Sequence, residues 1–336
     1  TLEILNLKHL ENGKILVQIK IKKISSDASF REFYRVKKNL TGSILVRASK
    51  DKYKNLIIYA AVNEFLIKNK IKAPKLLKEY FKNEMMEIED LGNHSFFDYI
   101  KHKKNKFKNY KKLIQIILKL QDIKLKSIIK FKKYKIKINT YNLTALHKES
   151  DLFFHWYLKH NSTKKNFYKF KIKIKKELNN LYKKLYFQNR CFVHRDFHVS
   201  NIMIKKNKIG LIDSQDIIKG NLFYDVASLI DDVRIVLPTH LKSKLFNYYL
   251  SKTKKIKLNE KSFAKNDFDI LSVQRNLKIL GIFVRLYKRD NKNNYLKFLP
   301  YTWRLLDLRL KNPLFNNLKN LLNKVVTNRN KKKIKF

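Results

Sequence analysis

Residues 191–216, CFVHRDFHVSNIMIKKNKIGLIDSQD, limit the fold more than any other stretch of the chain. Two apolar runs, CFVH and IMIKKNKIGLID, have the pattern of short strands, and they bracket a polar loop. Six aspartates fall between Asp196 and Asp232, although the chain has only 27 Asp plus Glu in 336 residues. Strands on either side bury such a loop, and buried carboxylates need partners or a cation. An ordinary solvated loop is the competing reading. It leaves the density of acids unexplained.

Around this stretch the pattern changes once. Residues 14–24 (KILVQIKIKKI) alternate apolar and polar, as a half-buried strand does; 31–38 and 43–49 follow as strands around a turn at 40–42. Residues 56–69 carry helical spacing, with Leu56, Tyr59, Ala60 and Asn63 on successive turns, and 72–90 read as a hairpin. Gly92, one of 6 glycines, reads as a hinge. From Phe96 onward helices are expected: 113–120 as a buried one, then 152–158, 172–186, 226–236, 240–250 and 268–287, with 190–211 the exception. The expected architecture is α+β, with a small β-rich lobe over 1–91 and a larger, mostly helical one over 92–324. A basic tail, 325–336, has too little apolar content to pack and is expected to fray.

The charge balance needs care. With 77 Lys plus Arg the formal charge is +50, which by itself points to nucleic acid or an anionic membrane. However, the excess lies in Lys, Asn, Ile, Phe and Tyr, whose codons are AT-rich, and the lysines spread over 101–112, 164–176, 252–257 and the tail. That distribution is a solvated surface, with no dedicated nucleic-acid partner. No apolar run approaches the roughly 18 residues a bilayer span needs, and the N-terminus lacks a signal-peptide pattern. The lone Cys191 excludes an internal disulfide framework and fits a reducing, cytoplasmic setting.

Within HRDFHVSN, Asp196 and Asn201 have the spacing of base and metal ligand in phosphoryl-transfer loops, and Asp213 follows the next strand. Magnesium prefers such hard oxygens and keeps several waters, so one asparagine and one aspartate suffice. At these residues the sequence resembles the aminoglycoside phosphotransferase/choline kinase-like superfamily: His194, Asp196, His198 and Asn201 fill its H-x-D-x-H-x-x-N loop. With 25–36 (SSDASFREFYRV), 88–92 (IEDLG), LIDSQD and 272–286 (SVQRNLKILGIFVRL), the resemblance narrows to the bacterial N-acetylmuramate/N-acetylglucosamine anomeric kinases, across roughly residues 20–310.

The resemblance implies a two-lobe, protein-kinase-like fold, ATP and Mg2+ as cofactors, and a small amino sugar as substrate in cell-wall recycling. It makes Asp196 the base, Asn201 and Asp213 the metal ligands, and Asp225 a structural aspartate, with His194 and His198 supporting the loop by hydrogen bonds. Ser25, Ser26 and Ser29 stand in the nucleotide-covering loop, which has no glycine here. Glu89 and Leu91 belong to the stretch offering backbone to adenine. Arg47 takes the place of the usual third-strand lysine, with Glu64 in the next helix; Arg47 reads equally well as a solvent-facing strand residue. Gln274, Arg275 and Lys278 share a helical face, either reaching an acidic sugar or forming a surface salt-bridge face. Two rival functions remain: a phosphotransferase acting on an aminoglycoside, choline, homoserine or similar alcohol, and a basic kinase-like binding module without catalysis.

Overall fold

The computed structural model describes residues 5–9, 17–24, 31–38, 41–49 and 54–332. Ser25, Ser26 and Ser29 lie outside the described residues, as does the start of the strand expected over 14–24. The chain forms two compact units that interleave in sequence. One gathers residues 1–99, 126–138 and 200–217; the other gathers 100–125, 139–199 and 218–336. Where the sequence suggested a single boundary after Leu91, the chain re-enters the first unit twice.

The first unit is built on an antiparallel sheet of β1 (Leu5–His9), β2 (Val17–Ile24), β3 (Glu32–Lys38), β4 (Thr41–Arg47), β5 (Leu76–Tyr80) and β6 (Met85–Glu89), in the order β1-β2-β3-β4-β6-β5. Helix α1 (Lys54–Lys68) packs on it through Leu56, Ile57, Tyr59, Ala60 and Ala61, against Ile44, Val46, Met86 and Ile88. A second sheet pairs β7 (His94–Ser95), β11 (Ile202–Lys205) and β12 (Lys208–Leu211). The hairpin of β8 (Ile128–Phe131) and β9 (Tyr134–Lys137) was not expected among helices. On either side of the Lys132–Lys133 turn the sequence alternates apolar residues (Ile129, Phe131; Tyr134, Ile136, Ile138) with lysine at period two, and Phe131 joins the α1 core.

In the second unit the 30-residue helix α9 (Lys261–Asp290) is the spine. Against it pack α4 (Leu143–Leu152), α7 (Tyr224–Ile230) and α10 (Leu299–Arg309); the unit also holds α3 (Lys106–Asp122), the short α5 (Lys159–Asn161), α6 (Lys164–Lys183) and α8 (Thr239–Lys252), while α2 (Phe96–Lys101) straddles the sequence boundary between the units. Strands β10 (Cys191–Val193) and β13 (Ile218–Gly220) form an antiparallel pair. Helix α9 approaches the Leu152–Phe153 backbone at Gly281, where an added Cβ would sit 2.2 Å from the Leu152 carbonyl; only a residue without one fits. The helix expected over 226–236 stops at Ile230, because Asp231 and Asp232 turn their carboxylates to partners elsewhere. Asp231 is buried between Arg309 (2.7 and 2.9 Å), Lys242 (2.9 Å) and the Ser272 hydroxyl (2.5 Å), which ties α7, α8, α9 and α10 together.

The tail also differs from expectation. Helix α11 (Asn316–Val325) runs into buried Val325 and Val326, and α12 (Asn328–Lys331) follows. Lys331 donates to Asp307 at 2.8 Å and lies over the Trp303 ring. Two valines and an anchored lysine supply the packing that overall tail composition concealed.

Candidate active site

Asp196 belongs to the second unit, in a loop held at both ends by aspartates. Asp225, in the first turn of α7, accepts from the backbone N–H groups of His194 (2.7 Å) and Arg195 (3.1 Å). Asp232 accepts from the N–H of Val199 at 2.9 Å and is paired with Arg234 at 3.2 Å. Between these anchors Arg195 takes a left-handed backbone, φ 74°, unusual for a side chain of its size. It is fixed from three sides: Asp225 holds its N–H, Arg275 donates to its carbonyl at 3.0 Å, and Glu149 holds its guanidinium at 2.6 Å.

Glu149, on α4, is the hub. Oε1 accepts from Arg195 and pairs with Lys278 at 3.1 Å; Oε2 accepts from Tyr141 (2.6 Å), Tyr224 (2.9 Å) and Gln274 (3.1 Å). Burial pushes its carboxyl up, but Lys278 and Arg195 outweigh that and hold it far below the ordinary carboxylate value. Gln274, Arg275 and Lys278 therefore do not form a surface salt-bridge face. They lie inside the unit, with Arg275 over the Tyr224 ring at 4.9 Å. Burial also pushes Asp196 up, yet Lys278, Arg275 and Arg195 hold its carboxyl below the usual aspartate value. Asp196 is thus ionised at neutral pH, in a cationic field.

The two histidines behave differently from expectation. Neither ring nitrogen of His194 has a hydrogen-bond partner among the described residues; the ring packs edge-on to Phe197 instead. The loop is held through the backbone of His194, by Asp225. The His198 N–H donates to the Asp196 carbonyl at 3.0 Å, and burial, with Arg234 nearby, holds its imidazole well below the ordinary value, hence neutral.

Asn201 and Asp213 belong to the first unit, at the end of the β11–β12 hairpin, where Ile212 N–H donates to the Asn201 carbonyl at 3.0 Å. Asp213 also has a left-handed backbone, φ 62°. Its Oδ1 accepts from Arg31 (2.5 Å) and Gln215 (3.1 Å), and Arg31 donates in turn to the Gln215 side-chain oxygen Oε1 (3.0 Å). Helix α1 presents Asn63, not Glu64, to this turn: Asn63 Oδ1 accepts from Ser214 at 2.5 Å. One residue on, about 100° around the helix, Glu64 faces solvent and pairs with Lys68. Arg47 is exposed at the end of β4 and makes no ion pair with Glu64 among the described residues. Glu89 pairs with Lys72 at 2.6 Å, and Leu91 is buried.

Among the described residues no three His, Cys, Asp or Glu side chains gather to hold a metal. A site of one carboxylate and one amide oxygen suits magnesium, which is satisfied by few protein ligands. Asp213 fits that use: its side chain is 36% exposed, and Oδ2 accepts no hydrogen bond among the described residues.

A family model for the phosphotransferase enzyme family matches residues 20–258, most of the chain. The chain belongs to that family. It is therefore a phosphotransferase, an enzyme that moves a phosphoryl group to an alcohol acceptor. Similar proteins include the N-acetylmuramate/N-acetylglucosamine kinase of Pseudomonas aeruginosa, 26% identical over 84% of this chain and 81% of that one. The enzyme of the same name from Neisseria meningitidis is 25% identical over 82% and 81%. Among solved structures, a choline kinase from Cryptosporidium parvum superposes with a TM-score of 0.60 at 12% identity, over 93% of this chain and 92% of that one. The ADP-bound aminoglycoside phosphotransferase APH(2'')-Ib gives 0.57 at 15%, over 85% and 91%. At that identity they show the fold alone. It is the kinase-like one, with a β-rich N-terminal sheet and a mostly helical remainder. No helix among the described residues of this phosphotransferase is long and apolar enough to cross a membrane.

Three residues of the phosphotransferase escaped the sequence reading. Asp232 lay within the counted run of aspartates but was given no role. Glu149 sits in a helix beside Lys148, and apart from Tyr141, eight residues back, its partners lie 46 to 129 positions away, where nothing local reveals them. Arg31 was quoted inside a motif and passed over.

Proposed function

We propose that this phosphotransferase is an ATP- and Mg2+-dependent kinase that phosphorylates the anomeric hydroxyl of N-acetylmuramate or N-acetylglucosamine. The observation that carries the reading is the Asp196 loop itself, anchored through its backbone by Asp225 and Asp232 and bordered by Arg195 and Arg275. The names of the relatives, over four-fifths of their lengths, support the choice of substrate. A cationic field beside the base suits an incoming triphosphate and an acidic sugar, and it repels a polycationic aminoglycoside.

In this reading Asp196 orients the acceptor hydroxyl and takes its proton as the phosphoryl group departs for the sugar. Asn201 and the second carboxylate oxygen of Asp213 would hold the metal, which would supply positive charge to offset that of the phosphates. Arg195, Arg275 and Lys278 offset the charge of phosphate or of a substrate carboxylate, with Gln274 setting the polar wall. Glu89 and Leu91 lie in the stretch that would face adenine. The enzyme would work in the cytoplasm, where both substrates occur. The test is ATP consumption with Mg2+ against N-acetylmuramate, N-acetylglucosamine, glucose, kanamycin and choline, with the phosphorylated position read by phosphorus NMR. Phosphate on the anomeric carbon of an amino sugar is expected. Turnover confined to kanamycin or choline would overturn the substrate.

A further inference from the structure

Arg31 is 4% exposed, yet it carries a full charge next to the carboxylate expected to bind metal. The Phe33 and Tyr59 rings lie under its guanidinium, at 5.7 and 5.2 Å. It closes a triangle with Gln215 and Asp213 Oδ1, so that one carboxylate oxygen is held by two donors while the other accepts no hydrogen bond among the described residues. Residues that grip a metal-binding carboxylate from behind orient it and tune its affinity.

Here the grip is charged. We propose that Arg31 is a positioning residue that makes metal binding depend on nucleotide: through Asp213 it disfavours a free divalent cation and admits one already carrying phosphates. This rests on the reading of the site as a Mg·ATP site. A carboxylate already neutralised by a guanidinium at 2.5 Å offers little net attraction to a bare dication, which must also approach that positive charge. A cation wrapped by a di- or triphosphate reverses the sign, because the phosphate oxygens are themselves attracted to the guanidinium. The aromatic faces beneath Arg31 keep it in place while its partner is shared. The assignment also supplies a cation beside Asp213 itself, whereas Arg47 is exposed at the end of β4.

The test is Mn2+ binding to the whole protein, followed by electron paramagnetic resonance and calorimetry, with and without ADP. Wild type is expected to bind Mn2+ weakly alone and much more tightly with ADP. Arg31→Gln should tighten free Mn2+ at least tenfold and weaken Mn·ADP at least tenfold, whereas a merely structural loss weakens both. Arg31→Lys, which keeps the charge, should leave free Mn2+ as weak as in wild type; this variant decides the matter if Arg31→Gln fails to fold. Parallel changes in both affinities, or tight free Mn2+ binding in Arg31→Lys, would overturn the role of Arg31 alone. Wild-type protein that binds no Mn·ADP would overturn the nucleotide reading itself.

Discussion

Glu149 in the second unit and Asp213 in the first are both carboxylates gripped by arginine, and they end in opposite states. Both oxygens of Glu149 are saturated, by Arg195, Lys278, Tyr141, Tyr224 and Gln274, and the side chain is 8% exposed. Asp213 has one oxygen gripped and one open, and is 36% exposed. A buried, fully satisfied acid is scaffold, since adding a ligand would mean breaking bonds it already has. A half-satisfied acid, held firmly from one side, is ready for a ligand on the other.

The largest effect that would sharpen this contrast is on stability. Glu149→Ala leaves the half-buried Arg195 and Lys278 without their shared anion, strips Tyr141, Tyr224 and Gln274 of an acceptor, and is expected to cost about 3 kcal/mol in urea unfolding. The pH dependence follows from its depressed carboxyl: the stabilisation is present above the ordinary carboxylate value and is lost as pH falls through the folded one. The gap between wild type and Glu149→Gln should therefore shrink below roughly pH 4. A gap independent of pH would show that Glu149 acts by shape alone. Next comes Asp213→Asn, which should weaken Mn·ADP by on the order of 100-fold while leaving the fold intact by circular dichroism. Equal loss of folding in both variants would erase the distinction between scaffold and ligand. Gly281→Ala tests the scaffold without touching charge; forcing a Cβ onto the Leu152 backbone should cost at least about 1–3 kcal/mol. The smallest effect belongs to Arg47→Ala, expected to leave nucleotide affinity within roughly twofold, as for an exposed strand residue.

The sequence exposed the parts of the site that are local. The strand–loop–strand framework that carries Asp196, Asn201 and Asp213 was legible from local pattern, and so were β2, β3, β4 and α1, because burial on one face imposes periodicity. What it concealed is long-range or compositional. Glu149 meets Arg195, 46 positions on, and Gln274, 125 positions on, through packing of α4 and α9 that no spacing encodes. Lysine is so common here that buried Lys278 and Lys242 look like every surface lysine. The same saturation hid the β8–β9 hairpin and made the packed tail look too polar to order. Glu64, read as the helix acid that would pair with Arg47, pairs instead with Lys68 one turn on.

The most direct test of the central claim is the turnover of Asp196→Asn with ATP, Mg2+ and N-acetylmuramate, alongside its affinity for Mn·ADP. If Asp196 is the base, kcat should fall by on the order of 10²–10⁴ with nucleotide affinity nearly unchanged. A variant that keeps wild-type turnover would contradict the account.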